Sequence, residues 1–123
     1  MPIIRIEGLR TPGLEVYDLL SQVSDAVAKA LDVPAGQCWA VFHEIQDGEY
    51  LEGGVQRHNH YGAVHSPLVT VSGYPGRSEV QVARALESLA KVVAKAYGFE
   101  TGNVFVEYRE IPEGCVFTGG VVQ

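Results

Sequence analysis

The chain is written twice, and this constrains its fold more than any other feature. Sliding the 123-residue sequence on itself by about 66 residues brings two halves into register. Ser21-Gln-Val-Ser-Asp-Ala-Val-Ala-Lys-Ala-Leu31 falls on Glu87-Ser-Leu-Ala-Lys-Val-Val-Ala-Lys-Ala-Tyr97, and Val33-Pro-Ala-Gly-Gln-Cys-Trp-Ala-Val falls on Phe99-Glu-Thr-Gly-Asn-Val-Phe-Val-Glu. Pro2 and Pro67 match at a shift one residue shorter, the difference being absorbed in the loop before each helix.

Within each half the hydrophobic period changes twice. Residues 2 to 7 and 67 to 72 are short and β-branched, with Ile4 and Ile6, or Val69 and Val71, on one face, the pattern of a strand. A period of 3.6 follows. It puts Val16, Leu20, Val23, Val27 and Ala30 on one helical stripe in the first copy, and Val82, Leu86, Leu89, Val93 and Ala96 in the second. Thr11-Pro12 reads as a cap followed by proline at the first helical position, and Ser78-x-x-Gln81 as a capping box. Stops fall at Val33-Pro34 and at Gly98. A second strand closes each half, at 37 to 45 and 103 to 111, before the glycine-marked turns Asp47-Gly48 and Glu113-Gly114.

Each half is therefore β-α-β. A helical crossover joins parallel strands, and the right-handed rule for crossovers places both helices on one face if the halves pair edge to edge. The predicted class is α+β: tandem β-α-β repeats forming a four-stranded mixed sheet with two helices on one face. The chain is a single domain, with repeat one at about 2–54, a linker at about 55–66 and repeat two at about 67–120. Such a sheet keeps one face bare, and strands rich in apolar residues need both faces covered, so an oligomer is expected.

Composition narrows the function. With 46% hydrophobic residues the chain can fill a core, and its net charge of -6 leaves no basic footprint for nucleic acid. No apolar run is long enough to span a membrane and no secretory leader pattern opens the sequence, so a cytoplasmic protein is expected. Cys38 and Cys115 stand singly, without the spacing of a disulfide framework or zinc site, and read as reduced, packed thiols. Arg57-His-Asn-His-Tyr and His65 give the linker an unusual composition; His58-x-His60 lacks an evident third ligand and is read as a solvated or interface loop, with no metal or cofactor expected.

The chemistry points to Pro2. Removal of Met1 would leave a secondary amine at the tip of a strand. An α-amino group titrates near about 7.7 to 8.0, and burial lowers that value by disfavouring the ammonium form, giving a neutral base at working pH. Pro67 follows Ser66 in mid-chain, so its nitrogen is an amide and cannot take a proton.

A proline-initiated β-α-β repeat, a Gly76-Arg77-Ser78 helix start and the glycine pairs Gly53-Gly54 and Gly119-Gly120 together resemble the tautomerase superfamily, in particular the 4-oxalocrotonate tautomerase type in its fused two-repeat form. The resemblance implies a homotrimer, Pro2 as catalytic base and Arg77 as the grip on a substrate carboxylate. A guanidinium at a helix N-terminus opposes the helix dipole but, beside free amide donors, suits an anion. Arg10 is the weaker counterpart in the first copy. Tyr50 lies where the simplest tautomerases place an apolar phenylalanine beside the proline.

Departures from the family pattern bear on the reaction. Trp39 and Phe105 stand where the simplest tautomerases carry a second arginine. Gln37 replaces the water-activating aspartate of malonate semialdehyde decarboxylase and is able to orient a carbonyl but not to act as a base. The positions of the cis-3-chloroacrylic acid dehalogenases' second arginine, tyrosine, glutamate and histidine hold Tyr74 or Pro75, Glu107, Thr118 and Val27. The expected activity is a tautomerase acting on a small 2-oxo or enol carboxylic acid through Pro2, with Arg77, Gln37 and Tyr50 binding substrate. A related decarboxylase, hydratase or dehalogenase, or a non-catalytic trimeric binding module, is the alternative.

Overall fold

The computed structural model describes residues 1–60 and 62–123; Tyr61, which closes the histidine-bearing run of the linker, lies outside the described residues. Each repeat contributes a parallel strand pair joined by a helix. In the first, β1 (Ile3–Leu9) pairs in parallel with β2 (Trp39–Ile45) across α1 (Val16–Leu31). Two short hairpin strands follow, β3 (Tyr50–Glu52) and β4 (Val55–Arg57). In the second, β5 (Leu68–Gly73) pairs in parallel with β6 (Phe105–Glu110) across α2 (Glu79–Tyr97), and the hairpin β7 (Phe117–Thr118) and β8 (Val121–Val122) closes the chain. Strands β1 and β5 run antiparallel in the middle, giving a mixed sheet of order β2-β1-β5-β6. This is the predicted tandem β-α-β architecture.

Alternation along the central strands decides which face is covered. Ile4 and Ile6 of β1 and Val69 and Val71 of β5 are buried against Leu19, Val23, Val27 and Leu31 of α1 and Ala85, Leu89 and Val93 of α2. Burying each large aliphatic side chain contributes about 1.5 to 3 kcal/mol. The buried helix positions recur every four residues, so the true stripe is rotated from the expected one: Val16, Leu20 and Ala30, with Val82, Leu86 and Ala96, flank the core half-buried.

The two helix starts differ. The capping box on α2 is present, with Ser78 Oγ accepting from the Gln81 N–H at 3.2 Å and Gln81 Oε1 accepting from the Ser78 N–H at 3.1 Å. Thr11-Pro12 does not start α1. Thr11 is buried in a turn whose carbonyl accepts from the Leu14 N–H, and the helix begins at Val16 behind Glu15, which makes no side-chain cap. Strand starts also shift: Gln37 sits on a single 3-10 turn, Ala35–Gln37, before β2, and Asn103 on its counterpart, Thr101–Asn103. The glycine pairs close the two hairpins, with φ of 57° and 85° at Gly53 and Gly54 and 61° and 85° at Gly119 and Gly120, the left-handed pair that a two-residue hairpin turn requires.

The bare face is not the apolar surface the strand composition suggested. Its central strands present Arg5 and Glu7 of β1 and Thr70 and Ser72 of β5. Leu68 of β5 is exposed on the same face, and the outer strands present both apolar groups, Trp39 and Val41 of β2 and Phe105 of β6, and charged ones, Glu107 and Arg109 of β6. Arg5, Glu7, His43, Thr70, Ser72 and Arg109 line a depression of about 440 Å³ on this face. No helix among the described residues is long and apolar enough to cross a membrane.

The capping box makes α2 the helix with the better-defined start. Ser78→Ala should lower unfolding free energy by about 1 kcal/mol in urea titrations, and an unchanged midpoint would show that the cap contributes nothing.

Candidate active site

Antiparallel pairing of β1 with β5 sets Ile3 opposite Ser72, so Pro2 lies beside Gly73, where β5 ends and the loop into α2 begins. The Pro2 side chain is fully buried. Its carbonyl accepts from the Trp39 N–H at 3.0 Å, which ties the turn carrying Gln37 and Cys38 to the same end of the sheet. Burial, with the nearby Arg77 guanidinium second, holds the Met1 amine below its ordinary value. Burial likewise pushes the Cys38 thiol up, with the amine and Arg77 pulling against it. The Met1 amine, Cys38 and Arg77 thus share one electrostatic neighbourhood next to Pro2, and Gln37, adjacent to Cys38 in the chain, has an exposed side chain. Among the described residues no three or more His, Cys, Asp or Glu are grouped to hold a metal.

The two helix-start arginines differ in their partners. Arg10 Nε donates to Glu44 Oε1, and its guanidinium lies 5.6 Å from the centroid of the Phe42 ring. Arg77 is half-buried, donates through Nη1 to the Tyr74 carbonyl at 3.1 Å, and has no carboxylate partner among the described residues. Its charge is available to an incoming anion, while that of Arg10 is already balanced.

The other opening proline sits at the opposite end of the sheet, where linker side chains pack against Leu9 beside a depression of about 440 Å³ lined by Thr11, Leu14, Val64, Tyr97 and Phe99. The linker brings in His65, buried to 1% exposure, whose Nε2 accepts from the Leu9 N–H at 3.0 Å. Tyr97 donates from its hydroxyl to the Leu9 carbonyl at 2.8 Å, and the His65 ring is met edge-on by Tyr50, Tyr97 and Phe99. Tyr50 belongs here: its hydroxyl donates at 2.6 Å to the carbonyl of Ser66, the residue that acylates Pro67. Pro2 is about 20 Å away along β1, so within one chain Tyr50 does not reach it. The linker's His58 lies 3.6 Å from Asp47 through Nδ1.

No protein-family model matches the sequence, and no curated protein matches it. Solved structures match it over nearly its whole length. Pt0534 inactivated by 2-oxo-3-pentynoate superposes with a TM-score of 0.85 at 22% identity, covering 98% of this chain and 94% of that one. A fused 4-OT asymmetric trimer gives 0.86 at 16%, with the same coverage. A member of the cis-3-chloroacrylic acid dehalogenase family gives 0.81 at 13%, covering 98% and 83%. The chain has the tautomerase-superfamily fold.

On this fold, sequence reasoning missed two residues at the Pro2 end, Cys38 and Tyr108. Cys38 was read as packing, and only the 3-10 turn reveals its closeness to the amine. A Cβ added to Gly73 would lie 2.6 Å from the Tyr108 hydroxyl and 3.4 Å from Arg77 Nη1. The only sequence signal for Tyr108 is that its repeat counterpart is Phe42, a difference of one hydroxyl.

The His65 end supplies a pH test. Burial lowers the His65 pKa from 6.5 to about 4, so the folded chain resists a proton that the unfolded chain accepts. Stability from this group is complete above pH 6.5 and is lost as pH falls towards about 4. Chemical denaturation across that window should show a decline that His65→Gln, which keeps an acceptor for Leu9, flattens. Identical slopes in the two proteins would remove His65 as its source.

Proposed function

We propose that this chain is a proton-transferring tautomerase. The observation that carries the reading is the buried Pro2 near an arginine that lacks a carboxylate partner among the described residues, at one end of a sheet whose other end is occupied by His65. With Met1 removed, the Pro2 nitrogen is a secondary amine in the surroundings that already disfavour the charged Met1 amine. Neutral Pro2 takes a proton from carbon α to a carbonyl and returns it to a conjugated carbon, and Arg77 holds the carboxylate or the developing enolate oxygen. Gln37 orients a carbonyl. The substrate class is a small 2-oxo or enol carboxylic acid, and the fold neighbour inactivated by the small 2-oxo acid 2-oxo-3-pentynoate supports that class.

The assembly that fits is a homotrimer, in line with the fused 4-OT trimers of the same fold. The exposed aromatic groups Trp39 and Phe105, one on each outer strand, favour closure edge to edge. In such a ring any Tyr50 beside Pro2 comes from a neighbouring copy. Light scattering at micromolar concentration should give the mass of three chains; a monomeric mass would sink the assembly and the neighbour's tyrosine with it.

The base is tested at the nitrogen. Ketonisation of phenylenolpyruvate, measured against pH, should rise through one ionisation with a midpoint below about 7.7. A chain with Met1 retained or extended by a residue that resists removal should fold and assemble but lose activity, because its proline nitrogen is an amide. Full activity in a mass-verified extended protein would overturn the mechanism. Arg77→Ala should raise KM for the carboxylate substrate about 10- to 100-fold, the value of a charge-assisted contact, while Pro67→Ala should keep most activity.

A further inference from the structure

Tyr108 occupies an arrangement that the chain itself repeats with one difference. On β2, Phe42 stands opposite Ile6 with the Arg10 guanidinium over its ring. On β6, the counterpart Tyr108 stands opposite Val71 with Arg77 nearby, both converging on Gly73. A phenyl ring is therefore sufficient to pack this place in the fold. The Tyr108 hydroxyl is nonetheless there, out of contact with water and without a hydrogen-bond partner among the described residues. A buried donor left unpaired destabilises a fold and calls for an explanation.

Two neighbours supply one. Gly73 lies beside Pro2 in the strand register and has no side chain between the hydroxyl and the arginine; a Cβ there would stand 2.6 Å from the Tyr108 oxygen, so that the phenol would have to move. Arg77 Nη1 is the other group nearest that point and is tied only to the Tyr74 carbonyl. The first repeat, which has no hydroxyl at this position, balances its arginine with Glu44 instead.

We propose that Tyr108 is the second donor of the anion site centred on Arg77: when a carboxylate draws the guanidinium off the Tyr74 carbonyl, the phenol donates its O–H to the same anion. A phenol is a donor of the right kind because it pairs with a carboxylate without adding a charge. It also gives the site a second contact where Trp39 and Phe105 leave no second arginine. The ligand class is a small planar carboxylate or 2-oxo acid, so this inference rests on the proposed function for its substrate and not for its geometry.

The test is oxalate binding by calorimetry, oxalate standing for a planar enolate-carboxylate, in wild type, Tyr108→Phe, Arg77→Ala and the double variant. Tyr108→Phe should keep the fold, as Phe42 does at the matching position, with thermal stability equal or higher because an unpaired donor is gone. Its dissociation constant should rise about 10- to 100-fold, and the loss should vanish in the Arg77→Ala background. Wild-type affinity in Tyr108→Phe, or an equal further loss without Arg77, would overturn the proposal, as would failure of the wild-type protein to bind oxalate. Coupled loss at both residues, together with full activity in an N-terminally extended chain, would keep the anion site and reject the proline mechanism.

Discussion

The antiparallel pairing of β1 with β5 is the contact on which the rest of the molecule depends. Each repeat alone is a parallel pair with one helix, too little to enclose a core. Joining them through their first strands stacks Ile4 and Ile6 beside Val69 and Val71 and gives both helices one surface to cover. The same pairing crosses the repeats functionally. Because the strands run in opposite directions, the opening proline of each repeat lies where the first strand of the other ends. Pro2 meets Gly73 and the Arg77 loop, and Pro67 meets Gly8 and the Arg10 loop. A parallel join would have placed both prolines at one end and both arginines at the other.

Two crossed ends with the same parentage have different fates because the chain is continuous. Pro67 is reached through a linker, which makes its nitrogen an amide and delivers His65, Ser66 and the Glu52 contact that accepts the Ser66 N–H at 2.6 Å. His65, Tyr97 and Phe99 then take the space in front of it, and Glu44 takes the Arg10 charge. At the Pro2 end Arg77 donates to the Tyr74 carbonyl and has no such carboxylate among the described residues. One end is packed with side chains, and the other carries the groups proposed for chemistry. The repeat is thus a duplicated fold with a single candidate site.

Much of this was legible in the residues because local signals agreed with the global pattern. The 66-residue echo, the β-branched strand starts and the Ser78-x-x-Gln81 box all point to elements that form. Thr11-Pro12 misled because a cap signal is read from two side chains, while the turn there is set by the buried Thr11 and by Gly13 at a φ of 90°. The α1 stripe was displaced because Leu19 and Leu20 are both apolar, and only packing against the sheet decides which of them points inward. Pro2 and Arg77 could be named from sequence, but their meeting depends on strand direction. The occupation of the other end by His65 and Tyr50, and the approach of Tyr108 to Gly73, arise from contacts between distant segments that periodicity does not encode.

Strand register also revises the reason for assembly. A uniformly apolar bare face would be covered by stacking a second sheet on it. Here β1 carries Arg5 and Glu7 in the middle of the face, and on the outer strand β6 Glu107 accepts from Arg109 at 2.8 Å with Thr70 Oγ1 at 3.4 Å from the same oxygen. Pressing such groups against an apolar surface would strip their water for little return, since desolvating ion pairs costs about as much as their attraction supplies. Trp39 and Phe105, on the two outer strands, are each about half-exposed at 51% and 54%. Contacts through those edges would bury the large aromatic groups, occupy strand edges that otherwise invite uncontrolled pairing, and let Arg5 and Glu7 of β1 remain hydrated. The distribution of side chains across the face therefore favours a ring over a stack.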